Sequence, residues 1–355
     1  MAQEYSRLAP EASADIRALK AEFQRLGFYD KPTQHILLQL LAHVLIALGG
    51  IALVLSDGLW SAGAGIVVFS IGATGVATNT HTSAHFATSN RRWLNQALTY
   101  FGYPFFLGLG ATYWWKKHNV HHHGGPNVIG VDEDIVLTPW FAFSQEDIPE
   151  HGVLRRLYYR LQWLGMPIAA LSMAIQLQYC SFQHLWRVYR QQGRLNGAHQ
   201  LDLALLGVHW LLWVVLPLTI WPATSVLAFT VLRLCLQSCI LFALFVPAHF
   251  PEEAVVLHAE QRGTDNFLLQ TATTVNFSTG PFGRWISSGL EYQVVHHLFP
   301  GISHLHYRKI DPLLAQFCER NGYPYRTFGW GVALWKTLLN FVRPKPVSST
   351  LERTA

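Results

Sequence analysis

The sequence predicts an all-α integral membrane protein with four transmembrane helices in two hairpins, interfacial helices, and a helical cap on one side that carries clustered histidines. Three observations predict it. Half of the 355 residues are apolar and only 13% are charged, against roughly 25% charged in an average soluble domain. Four stretches approach the roughly 20 apolar residues that a bilayer-crossing helix needs, and they fall into two pairs with very short connectors. Eight of the 18 histidines lie in three clusters at or beyond the ends of those stretches.

The elements follow in order. Residues 1–34 read as a polar, amphipathic helical segment containing Arg7, Arg17, Lys20 and Arg25, with no secretory signal. One membrane domain then occupies 35–343. Its first hairpin pairs 36–55 with 61–78 across Ser56–Trp60, and its second pairs 203–221 with 225–248 across Trp221–Thr224. Residues 98–115 and 161–179 are also apolar, yet neither should cross, because histidines that share a metal must lie on one side of the bilayer. Gly102, Pro104, Gly108 and Gly110 suit the first of them to an interfacial or dipping course. Residues 344–355 are expected to be a disordered tail.

Charge gives the orientation. Arg91, Arg92, Lys116, Lys117, Arg155, Arg156, Lys309 and the N-terminal cations share the histidine side, whereas the opposite hairpin turns contain no Lys or Arg. The positive-inside rule makes the histidine side, with both termini, cytoplasmic. The cations are scattered beside apolar spans and form no basic face, so the bilayer is the expected partner and nucleic acid is not. The four cysteines include no C-x-x-C pair and supply no zinc, iron–sulfur or disulfide framework.

The histidines carry the chemistry. His81-x-x-x-His85 puts two imidazoles on one helical face. His118-x-x-His121-His122 offers a second set with i, i+3 and i+4 spacing. His123 follows it but points elsewhere on an α-helix, where neighbours are set about 100° apart, and reads as a surface or supporting residue. Gln293-Val294-Val295-His296-His297 repeats the second spacing with glutamine first. A glutamine oxygen can ligate weakly, act through water, or only orient an imidazole. His249, at the end of the fourth span, is placed either to complete the set or to serve as a boundary histidine. Seven or eight imidazoles exceed the three or four protein ligands of one zinc and the axial pair of a haem. Two non-haem irons at the membrane face use every cluster, with dioxygen as co-substrate.

With these motifs the chain resembles the membrane fatty acid desaturases, and most closely their front-end acyl branch. The resemblance rests on His81-x-x-x-His85, on Trp114-Trp115-Lys116-Lys117-His118 through His122 with Pro126-Asn127 and Asp132-Glu133-Asp134-Ile135 after it, and on the Gln293-led third box with Leu298-Phe299-Pro300. It implies a diiron enzyme that inserts a cis double bond into a long acyl chain carried as lipid, CoA thioester or acyl carrier protein. It also implies His81, His85, His118, His121, His122, His249, His296 and His297 as ligands. Gln293, Asp134, Asn127 and Asn276 are then possible ligands or supporting polar residues. Thr82 stands where many relatives carry an acid, and no His-Pro-Gly-Gly haem motif of a fused cytochrome b5 occurs. Electrons are therefore expected from a separate donor of ferredoxin or cytochrome b5 type. Hydroxylation on the same scaffold is the nearest alternative. A metal or proton transporter fits less well, since it would place ionisable residues deep in several spans.

Overall fold

The structure is a computed structural model that describes residues 10–351 and 353, apart from Thr264. Its first helix, α1 (Pro10–Arg25), is amphipathic as expected and buries Ile16, Leu19 and Phe23 in a cluster with Phe299, Ile302 and Tyr307. Two long antiparallel helices follow, α2 (Thr33–Val54) and α3 (Leu59–Ala84). They pack through small residues, which lets the backbones approach without losing van der Waals contact. At Gly72 a Cβ would lie 2.4 Å from the Ala47 backbone nitrogen, so no larger residue fits there. Helix α3 runs past the expected end at Thr78 because its polar residues are satisfied within the protein. Thr80 Oγ1 donates to Val76 O at 2.8 Å and Thr78 Oγ1 to Ile286 O at 2.6 Å. The hydropathy stops there, but the helix does not.

The apolar stretch 98–115 is broken. Helix α4 (Arg92–Tyr100) continues as a π-helix, Phe101–Leu107, around Pro104. The chain then turns at Gly108 (φ 71°) and restarts as α5 (Ala111–Trp114). Asp202, reaching over from a later helix, accepts from Ala111 N at 2.8 Å and Thr112 N at 2.7 Å. This clamp supplies the start of α5 with the acceptors that its first amides lack.

After α6 (Val153–Arg160) comes α7 (Met166–Gln192), which packs along the fourth long helix through Ala174 N→Ser238 Oγ at 2.9 Å. Helix α8 (Gly197–Trp210) extends through a π-helical turn to Leu218, and α9 (Ala223–Phe245) returns. Among the described residues, four segments are long and apolar enough to cross a membrane: Thr33–Val54, Leu59–Ala84, Gly197–Leu218 and Ala223–Ala248. They are the two expected hairpins, and neither 98–115 nor 161–179 joins them.

The rest forms the cap: α10 (Asn266–Ala272), α11 (Pro281–Ser287), α12 (Gln293–Leu298), α13 (His304–Asn321) and α14 (Trp330–Val342). Two short parallel strand pairs tie its loops together. Strand β1 (Val128–Ile129) pairs with β2 (Leu257–His258), and β3 (Asn276–Ser278) with β4 (Thr327–Gly329).

One expectation is corrected here. The tail read as disordered is laid down over residues 345–348. Gln145 N donates to Lys345 O at 2.9 Å, and Ser348 N to Val256 O at 2.8 Å. The buried Lys345 ammonium donates to the carbonyls of His249 (2.7 Å), Ala254 (2.6 Å) and Pro251 (3.2 Å) and lies 4.5 Å from the Phe143 ring centre. Composition suggested a solvated tail, whereas this cation finds its acceptors inside the protein.

Candidate metal centre

His81 occupies the last turn of α3, and His85 caps that helix. Four residues apart, the two rings share a face, 4.8 Å between centroids.

The second cluster departs from α-helical geometry. Trp115–His122 is a π-helix, and His123 N bonds back to His118 O at 2.9 Å, an i→i+5 link. In such a turn residue i+5 comes under residue i. His123 is thereby swung inward and His121 outward, the reverse of the α-helical expectation. His123 Nε2 lies 3.2 Å from His118 Nε2 and 3.0 Å from His296 Nε2, and its ring stacks on His297 at 4.4 Å. Half-exposed His121 instead donates from Nδ1 to Glu133 Oε1 at 2.8 Å.

The inward imidazoles form two sets, each with its donor atoms within 4.8 Å of one another: His81, His85, His118 and His296, and His122, His249 and His297. A third set, His118, His122 and Asp134, reuses two of those imidazoles. Asp134 is ion-paired with Lys117 and lies 3.3 Å from His122 Nδ1, so it braces the ring from outside.

The donors fit metal ions. The Nε2 atoms of His81 and His118 are 2.8 Å apart, and the contacts of His123 continue that run. Nitrogens each about 2.0–2.1 Å from a shared ion would stand about 3 Å apart. His85 Nε2 and His297 Nε2 are buried without a hydrogen-bond partner, and such nitrogens are costly unless something ligates them. The rings are held neutral. Burial first, and repulsion by neighbouring imidazoles second, keep His118, His123, His249, His296 and His297 well below the ordinary 6.5. The same causes bring His85 down to about 3.

Supporting residues fix which nitrogen faces inward. His122 Nδ1 donates to Asp132 Oδ2 at 3.0 Å, since a carboxylate only accepts, and in the neutral tautomer this leaves the lone pair on Nε2. Burial raises the Asp132 carboxyl, but His122, the Asn127 amide and Lys117 outweigh it and hold the group below its usual value. His297 Nδ1 faces Gln270 Oε1 at 3.0 Å, while Gln270 Nε2 donates to His123 O at 2.9 Å. Tyr307 Oη lies 3.2 Å from His296 Nδ1.

The other expected polar residues act further out. Asn127 donates to His249 O at 2.8 Å and to Ala254 O at 3.2 Å, and so anchors the loop of His249. Asn276 Oδ1 accepts from Val294 N at 2.9 Å and anchors α12. Gln293 is buried in the first turn of that helix. Thr82, at the position where many relatives carry an acid, hydrogen-bonds His304 Nδ1 at 2.7 Å. Sequence reasoning missed Asp132, Gln270, Tyr307 and Lys345. Asp132 had a signal, since it stands beside the Asp134 that was chosen; the others become neighbours only through folding.

Comparison with known proteins agrees with this arrangement. The fatty acid desaturase family model matches residues 58–329, which holds all three clusters and His249. The chain is similar to the sn-1 linoleoyl-lipid 6-desaturase of Arthrospira platensis, with 28% identity over 319 residues, 84% of this chain and 82% of that protein. It is 27% identical to the Delta(8)-fatty-acid desaturase 2 of Arabidopsis thaliana over 93% of this chain and 75% of that one. With the Delta(5) fatty acid desaturase fat-4 of Caenorhabditis elegans it shares 26% identity over 77% of this chain and 61% of the relative. A membrane-helix scaffold that converges neutral imidazoles at the ends of its spans, and a family match over most of its length, lead to one conclusion: the chain belongs to the fatty acid desaturase family, oxidoreductases that act on fatty acids.

Proposed function

We propose that the protein inserts a cis double bond into a long acyl chain at two non-haem irons, with O2 as oxidant and two electrons from a separate ferredoxin- or cytochrome b5-type donor. The observation that carries this reading is the division of the inward imidazoles into two adjacent sets of nitrogen donors. On this reading His81, His85, His118 and His296 hold one iron, and His122, His249 and His297 the other. His123 stands at the junction and takes the role that α-helical spacing assigned to His121. The metals, when bound, supply the activation of dioxygen that removal of two hydrogens from a CH2–CH2 pair requires. The balance is one acyl chain, O2, two electrons and two protons giving the alkene and two waters.

The chain's own residues supply the rest. Asp132 keeps the proton of His122 on Nδ1, and Gln270 orients His297. Trp114, 5.9 Å from His81 between ring centroids, and Phe245, at 6.0 Å, wall the centre with apolar surface that excludes water. The ends of α3 and α9 set the centre at the membrane border, within reach of a substrate in the bilayer, whether acyl lipid, acyl-CoA or acyl carrier protein. Loop charge supports a cytoplasmic centre and cytoplasmic termini.

The test is expression with an electron donor followed by mass spectrometry of acyl chains and iron analysis. A product 2 Da lighter, with two irons per chain, is expected. A product 16 Da heavier would mean hydroxylation, and protein that folds yet retains no iron would defeat the diiron reading.

A further inference from the structure

Beside the metal centre lies a cavity of about 230 Å³ that the chemistry above leaves unused. It opens between the second turn of α2, α11 and the start of α13. Its polar lining includes Arg284, Arg308, His304, Gln39 and Tyr292, with Trp285 as an apolar wall, and no carboxylate among the described residues lines it. Glu291 sits beneath, its Oε1 3.3 Å from Arg284 Nε and its Oε2 accepting from Ser287. That carboxylate compensates part of the Arg284 charge and holds the guanidinium in place. Arg308 is exposed at the rim.

Two features say what the cavity faces. Phe282 on α11, its ring 6.3 Å from that of the lining Trp285, is an exposed large apolar residue, and the lining Gln39 sits in the second turn of the apolar span α2, whose Leu38 is exposed, so the cavity lies where a lipid surface meets water, the level of anionic headgroups. Its inner wall is His304, whose Nε2 meets Gln39 Oε1 at 3.0 Å and whose Nδ1 meets Thr82 Oγ1 at 2.7 Å. Thr82 adjoins His81, so a group seated here is held next to the first imidazole set. The space is smaller than the roughly 300–1,000 Å³ of sites that enclose a drug-sized ligand. It suits a phosphate and its glycerol, and is too small for a nucleotide.

We propose that this cavity seats the phosphate of a glycerophospholipid whose acyl chain is the substrate, with Arg308 and Arg284 as its cationic partners. The assignment rests on the desaturase reading. The pocket selects the carrier by its headgroup and places the ester end of the chain beside the metal centre.

The test uses iron-loaded enzyme in nanodiscs with one acyl chain presented three ways: as phosphatidylglycerol, as a galactosyl diacylglycerol and as a CoA thioester. Arg308→Glu should raise the apparent KM for the phospholipid about tenfold or more, with kcat and the galactolipid KM unchanged. Lys309→Glu, an equal charge change on an exposed neighbour outside the pocket, should do neither. Equal effects on both lipids, equal effects of the two variants, or an effect confined to the CoA thioester would overturn the proposal. Native mass spectrometry of retained lipid needs no turnover. Arg308-dependent retention of phospholipid by an inactive protein would support the pocket and defeat the desaturase reading. Active enzyme without headgroup preference would defeat the pocket alone.

Discussion

His121 and His123 differ by two positions and by their whole environment. One donates to Glu133 at the surface; the other is wedged among His118, His296 and His297. His123→Ala should therefore weaken iron binding by more than about tenfold, the lower end for disturbing the surroundings of a metal site, while His121→Ala keeps nearly all its iron. Iron analysis after gel filtration checks this, and equal losses would contradict the geometry. Acid should act in a definite direction. His85 titrates near 6.5 when unfolded and at about 3 when buried, so the unfolded chain takes up the proton first. The stability tied to its neutral form is whole above pH 6.5 and drains away as pH falls from 6.5 toward 3. Metal binding competes with those same protons. Iron retention and the thermal midpoint should fall together below about pH 6, and a midpoint that rises on acidification would refute this. At this scale the ligand types were legible in the sequence, since histidine packed so densely at span ends suits metal ligation above all. Which of two neighbouring histidines turns inward was not, because that depends on one extra residue in a helical turn.

Among the elements, the spans were the most legible part, because a bilayer demands uninterrupted apolar length. Their ends were less so. Helix α3 continues through Thr78, Thr80 and His81, residues whose polarity signals a stop and whose hydrogen bonds permit continuation. The clamp of Asp202 on the start of α5 joins residues about 90 positions apart, and periodicity carries no trace of it. Close approach of α2 and α3 yields a direct prediction. Gly72→Leu drives a side chain into the Ala47 backbone, 2.4 Å from where its Cβ would start. Overpacking of this kind costs about 1–3 kcal/mol. The variant should insert into the membrane yet show a lower unfolding temperature in detergent, and an unchanged midpoint would show that the hairpin can spread.

Taken whole, the molecule gathers its imidazoles from residues 81 to 297 and then locks one of their loops with Lys345, beyond the last of them. Parity of crossings was enough to put the clusters on one side, which is why the general plan could be read from the chain. The lock could not, since a lone lysine after a proline looks like any solvated tail. Lys345→Met removes a charged donor from the carbonyls of His249 and Ala254, which then keep only their bonds from Asn127, a loss of about 1.5–3 kcal/mol for hydrogen bonds to a charged group. Iron bound by the set containing His249 should fall more than iron bound by the other, read as a drop from two toward one iron per chain. Loss of both together would assign the lysine to general stability instead. The order of parts along the chain then carries a consequence for biogenesis. All four spans can be in the bilayer before the strap exists, so a nascent chain holds the loop of His249 through Asn127 alone until residue 345 has left the ribosome. On the diiron reading, full loading of the set that contains His249 would wait for the end of synthesis, and a chain cut short before the strap should be inserted, helical and poorer in iron.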